Sequence, residues 1–145
     1  MTNPMDPENP VNALCIQGME AEGRGDPESA RVLFSQAWER RSNPVEAAVA
    51  AHYVARHQDT AAGTLLWNQR ALDEATAGEP AAIAGFLPSL HLNLGKSHED
   101  VGDLAAARAQ YLLAQHASSA LGDDGFGRMI RGGIGAALER TATAG

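Results

Sequence analysis

Apolar residues recur three and four positions apart along almost the whole chain. The clearest stripes are Leu14/Gly18/Ala21, Ala30/Leu33/Phe34/Ala37, Leu104/Ala107/Tyr111/Ala114 and Phe126/Ile130/Ile134/Leu138. That spacing puts each set on one face of a helix. No stretch alternates over six residues between turn signals, and Ala, Leu, Glu, Arg and Gln, which lose little on entering a helix, dominate. The punctuation agrees with the periodicity. Asn9-Pro10, Asp26-Pro27 and Asn43-Pro44 each offer an N-cap followed by proline at the first helical position, and Glu46 adds a capping box to the third. Asp59 and Asp103 are further candidate N-caps, and Asp123/Asp124 would cap the last helix. Stops fall at Gly23/Gly25, Gly78, Gly102 and Gly122, where glycine can take the left-handed conformation.

These signals predict seven helices, over 10–23, 27–41, 44–57, 60–77, 80–100, 103–121 and 124–140. The connections are short, so consecutive helices should be antiparallel neighbours. Pro88 conflicts with a continuous fifth helix, because inside it the ring would crowd the Ala84 carbonyl and remove a donor. The segment should kink there or restart with Pro88 in its first turn. The expected fold class is all-α, in a single domain over 10–140 with tails at 1–9 and 141–145.

Composition narrows the function classes. Hydrophobic residues make up 44% and charged residues 20%, so the chain can fold around a core without staples. Eleven Lys and Arg stand against 18 Asp and Glu, for a net charge of −7. Only Lys96 is a lysine, and the arginines are scattered, which disfavours a nucleic-acid surface. The N-terminal ten residues carry neither a basic nor an apolar signal region, and apolar runs such as 47–51 and 81–87 are too short to span a membrane. Cys15 is the single cysteine, without a disulfide partner or metal-ligand spacing. A cytoplasmic protein without membrane contact is expected.

A repeat emerges when the helix pairs are superposed. Gly18, Gly25-Asp26, Ala30, Phe34 and Ala37 match Gly95, Gly102-Asp103, Ala107, Tyr111 and Ala114, and Gly18 and Gly95 each lie twelve residues before the small alanine. A middle copy is degenerate, with His52 at the glycine place, Thr64 at the first alanine, Asn68 at the aromatic place, and Ala71-Leu72 intact; Trp67 would supply the missing ring. Small residues let the two helices of a pair approach, and the ring fills the next gap. The pattern resembles the tetratricopeptide repeat, a 34-residue helix–turn–helix unit, over about residues 11–121. The first stride, Gly18 to His52, is 34 residues; the second, His52 to Gly95, is 43. Nine extra helical residues would add ~13.5 Å, so helices around 72–87 are expected to be longer, as in the long-helix repeats of kinesin light chains.

The resemblance implies a right-handed α-solenoid of three hairpins, at about 11–43, 44–78 and 80–121, closed by a capping helix at 124–140. In this family the first helix of each unit lines a concave groove. The partner-binding residues it implies here are Asn12, Cys15, Met19, Tyr53, Arg56, Asn93 and Lys96, while Ile16, Val49 and Leu92 fit either groove or inter-repeat core. Family members that clamp a chaperone's C-terminal carboxylate use Lys, Asn and Arg at places that hold Cys15, Met19, Ala50, Ser89 and Asn93 here. A carboxylate clamp needs convergent cations, so such tails are not expected ligands.

Little points to chemistry. His91 and His98 share a helix face but lie ~10 Å apart along it, too far to hold one ion. No metalloprotease, nucleophile-elbow or phosphate-loop motif occurs, and Gly122–Gly127 lacks the ligand spacing of a calcium loop. No metal, cofactor or catalytic residue is assigned. The expected function is a non-enzymatic adaptor holding a peptide or partner protein. The alternative is a self-associating, homodimeric scaffold pairing through Trp38, Leu65 or Met129.

Overall fold

The computed structural model describes residues 6–144; of the tails expected at 1–9 and 141–145, residues 1–5 and 145 lie outside that range. The described residues are helical without a strand. The helices are α1 (Pro10–Gly23), α2 (Pro27–Glu39), α3 (Pro44–Val54), α4 (Ala61–Thr76), α5 (Pro80–Ile83), α6 (Leu87–Asp100), α7 (Leu104–Ala117) and α8 (Gly125–Arg140), with 3-10 turns at Ala55–His57 and Ser118–Ala120. The chain divides into two compact units, one ending at Ile83 and one beginning at Ala84.

In the first unit α1 pairs with α2 and α3 with α4, while α3 also packs on α1 and α2. In the second α6 pairs with α7, and α8 packs against both. Asn9, Asp26, Asn43, Asp103 and Asp124 all cap through their side chains. Thr60 rather than Asp59 caps α4: its hydroxyl accepts from the Gly63 amide at 2.9 Å, while Asp59 reaches outward to Arg31. The capping box of α3 is displaced by one residue, since the Glu46 carboxylate accepts from the Ser42 amide and hydroxyl rather than from Asn43.

The glycine stops divide into two kinds. Gly25 and Gly102 take φ of +75° and +87°, and each ends its helix with the same pair of bonds. Gly25 N donates to Glu22 O and Asp26 N to Ala21 O; Gly102 N donates to Glu99 O and Asp103 N to His98 O. This is the Schellman arrangement. Gly23, Gly78 and Gly122 do not adopt positive φ.

The small-residue positions lie where helices touch. A Cβ on Gly18 would overlap the Phe34 ring at Cε1, and one on Gly95 the Tyr111 ring at Cε1. Phe34, Tyr111, Ala30, Ala107, Ala37 and Ala114 are all buried. The middle pair solves the same problem differently. Ala47, Ala48, Val49, Ala50 and Ala51 are all buried, so α3 is covered on every side and small side chains let its neighbours close in. Asn68 itself is buried at the aromatic place. The Trp67 ring makes an edge-on contact with Trp38 on α2, at 5.1 Å between centroids.

The nine extra residues do not lengthen helices. α4 has 16 residues and α6 has 14, and the surplus is spent on a break containing the one-turn α5. Pro88 accounts for the restart, because it sits in the first turn of α6, where no donor is needed. Residues 6–9 form a bonded turn rather than a loose tail: Asn9 N donates to Asp6 O. At the other end Thr141 is buried, its hydroxyl donating to Ala137 O.

Candidate functional site

The last turn of α3 and the 3-10 turn after it carry the densest group of polar and aromatic side chains in the first unit. Tyr53 stacks on Phe34 with ring centroids 5.2 Å apart, and His57 stacks on the same ring at 5.7 Å. Glu22, at the end of α1, binds both neighbours: its Oε2 accepts from Arg56 Nε at 3.0 Å and lies 2.7 Å from His57 Nε2. Arg56 keeps half its side chain in solvent, whereas Glu22 and His57 are mostly covered. Burial, foremost, raises the Tyr53 phenol above its usual range. His52, packed edge-on against Tyr53, is pushed down to about 4 by burial and then by the Arg56 cation. Tyr53 and Arg56 are therefore presented on a braced surface, with the half-buried Met19 on the adjacent α1.

Two of the expected groove residues are not surface groups. Cys15 is fully buried, and burial raises its thiol to about 12, so it is not exposed to a groove. Asn12 is 3% exposed; its side-chain nitrogen donates to Asp6 O at 3.0 Å. The cause is the same for both: α3 packs on α1, and the 6–9 turn folds back over its start. In the second unit Asn93 is half-buried and Lys96 is exposed, its ammonium 2.6 Å from Asp100 one turn on. Tyr53, Arg56 and Glu22 are thus brought together, while Asn93 and Lys96 belong to a separate compact unit.

The second unit has its own version of the cluster. The Tyr111 hydroxyl donates to Glu99, which also binds Arg140 from α8 at 2.9 Å. The Arg140 bond is the main cause that holds the Glu99 carboxyl below its usual range, against the opposing effect of burial and with help from Tyr111. Glu22 and Glu99 occupy equivalent places, each four residues after the close-contact glycine.

Two features escaped the sequence reading. Trp38 and Trp67 form an edge-on pair flanked by guanidiniums: Arg41 lies 3.7 Å above the Trp38 ring and Arg70 4.6 Å above Trp67. Arginine three residues after each tryptophan was the available signal, but the pairing joins two helices. The second is a cleft of about 570 Å³ where the starts of α1 and α3 meet the α4–α5 connection, lined by Asp6, Asn9, Asn12, Asn43, Glu46 and Glu79 among others. His91 is engaged with Gln110 at 2.8 Å. Among the described residues no three His, Cys, Asp or Glu side chains are grouped to hold a metal ion, and no helix is long and apolar enough to cross a membrane. Compared with models of known protein families, with characterised proteins and with solved structures, the chain has no match.

Proposed function

We propose that the chain is a small tetratricopeptide-like adaptor of the cytoplasm, a right-handed array of three hairpins with α8 as its cap, that binds a peptide or partner protein without catalysing a reaction. The observation that carries this reading is the duplicated hairpin. Seventy-seven residues apart, the same glycine faces the same ring, and the same left-handed glycine precedes the same aspartate cap. Repetition of one packing unit is how an extended contact surface is built from short helices. The packing of α1 on α3 also suits an array in which leading helices stack side by side. Met19, Tyr53 and Arg56 on those two helices, with Asn93 and Lys96 on α6, are the proposed contact residues. Tyrosine and arginine held by neighbours lose little freedom on binding.

A peptide array probed with the full chain tests this. Binding by a hit peptide should fall at least tenfold in Arg56→Glu or Lys96→Glu; hits unaffected by either change would contradict a groove on these helices.

A second reading, self-association, is favoured by one observation. Leu112, Leu113, Phe126 and Met129 on α7 and α8 are each 45–64% exposed. Met129 remains the one candidate for twofold pairing that is fully at the surface, because Trp38 and Leu65 are half-buried. Sedimentation at tens of micromolar distinguishes the two: a clean monomer contradicts the dimer.

A further inference from the structure

The cleft at the starts of α1 and α3 has an unusual balance of unused hydrogen-bonding groups. The caps take three of its amide donors. The Val11 and Asn12 amides go to Asn9 Oδ1, and the Glu46 amide goes to Asn43 Oδ1. The walls also carry acceptor oxygens. Asn12 is 97% shielded, and because its nitrogen is tied to the Asp6 carbonyl, its Oδ1 is left without a partner. A buried acceptor in that state is unfavourable unless a donor reaches it.

Glu46 adds charge. It is only 8% exposed, yet its carboxylate is held by three neutral donors, Asn9 Nδ2, Ser42 N and Ser42 Oγ, all at 2.8 Å. Among the described residues no Lys or Arg lies within salt-bridge distance of it, although a buried carboxylate is ordinarily paired with a cation. Asp6 and Glu79 bring two more carboxylates to the rim, and the lining contains no basic residue. Val45, Ala77 and Ala82 complete the walls with apolar surface.

We propose that this cleft is a binding site for an organic cation: an ammonium or guanidinium group on an aliphatic stem, whose charged end meets Glu46 and the Asn12 carbonyl while the stem lies on Val45, Ala77 and Ala82. The starts of two helices would by themselves favour an anion. Here the caps take three of the amides, and the three carboxylates of Asp6, Glu46 and Glu79 disfavour an anion. A stem of three or four methylenes on an apolar wall with its charge among oxygens is the ordinary way a long basic side chain is accommodated. A volume of about 570 Å³ takes such a group with its neighbours. The site does not depend on the adaptor reading, since it is formed within the first unit from other residues.

The test is an amide NMR titration of the full chain with two sources of the same chemistry: spermidine, and the blocked tripeptides Ac-Ala-Arg-Ala-NH2 and Ac-Ala-Lys-Ala-NH2. Saturable shifts are expected at the side-chain amides of Asn9 and Asn12 and the backbone of 44–46 and 77–82. The norleucine tripeptide, which keeps the stem and lacks the charge, should give none. Saturation by the tripeptides alone assigns the site to a basic residue of a protein partner; saturation by spermidine alone assigns it to a free polyamine. Removing the two rim charges in Asp6→Asn/Glu79→Gln should weaken binding by about tenfold with the spectrum otherwise preserved. These changes touch exposed residues, so folding is not at stake. No saturable shift from any cation up to ten millimolar overturns the proposal, as do equal shifts from the norleucine peptide or unchanged affinity in the rim variant.

Discussion

The α1/α2 and α6/α7 hairpins share a lock and differ in how the key is held. In each, a glycine on the first helix lies against a ring on the second, close enough that a single added carbon would overlap it. Each turn uses a left-handed glycine and an aspartate cap. Phe34 is held by faces, stacked on Tyr53 and His57 of the following segment. Tyr111 is held by its hydroxyl, which donates to Glu99, itself bound to Arg140 of the following helix. The carboxylate is present in both, as Glu22 and Glu99, but binds the ring only where the ring offers an oxygen. The difference teaches that close helix contact is set by the glycine–ring pair, while the attachment of the next segment can be aromatic or ionic.

Removing the rings should have the largest effect. Phe34→Ala and Tyr111→Ala are each expected to cost about 3–5 kcal/mol, measured by urea unfolding; a loss under 1 kcal/mol at either place would break the equivalence. Tyr111→Phe separates lock from attachment. The ring stays against Gly95, and only the hydroxyl's bond to a charged acceptor is lost, for about 1.5 kcal/mol. Its amide exchange should quicken where α8 meets α7, with the α6/α7 pairing intact. The smallest effect is a pH dependence in the middle hairpin, where His52 stands at the glycine place. Its folded pKa is about 4 against an ordinary 6.5. Between those values the unfolded chain binds the proton more readily, so the stability due to neutral His52 is complete above pH 6.5 and is lost as pH falls toward 4. Melting temperatures at pH 7 and 5 should therefore differ less in His52→Gln than in the parent chain.

The local part of the fold was legible in the sequence. Caps at Asn9, Asp26, Asn43, Asp103 and Asp124, the stops at Gly25 and Gly102, and the contacts of Gly18 and Gly95 all follow from residues within one hairpin. What depends on a distant segment was not. The burial of Cys15 and Asn12 requires α3 to pack on α1. Arg131 reaches back from α8 to donate to the carbonyls of Ser118, Leu121 and Gly122. Of the paired glycines in α8, Gly133 meets Leu92 closely while Gly132 faces open space. The stride of 43 gave the length of the insertion but not its form, because Pro80 and Pro88 each begin a helix and leave no room for a longer one. The cleft draws on three segments, and no one of them carries its signature.

Glycine replacement tests the shared lock most directly. Alanine raises helix propensity by up to ~1 kcal/mol over glycine, so propensity alone makes every such change stabilising. Opposite signs by position are expected, read from urea unfolding. Gly135→Ala in α8, where a Cβ meets nothing within 4 Å, should stabilise. Gly18→Ala and Gly95→Ala, forced against Phe34 and Tyr111, should destabilise by about 1–3 kcal/mol. Stabilisation at all three positions would contradict the shared lock.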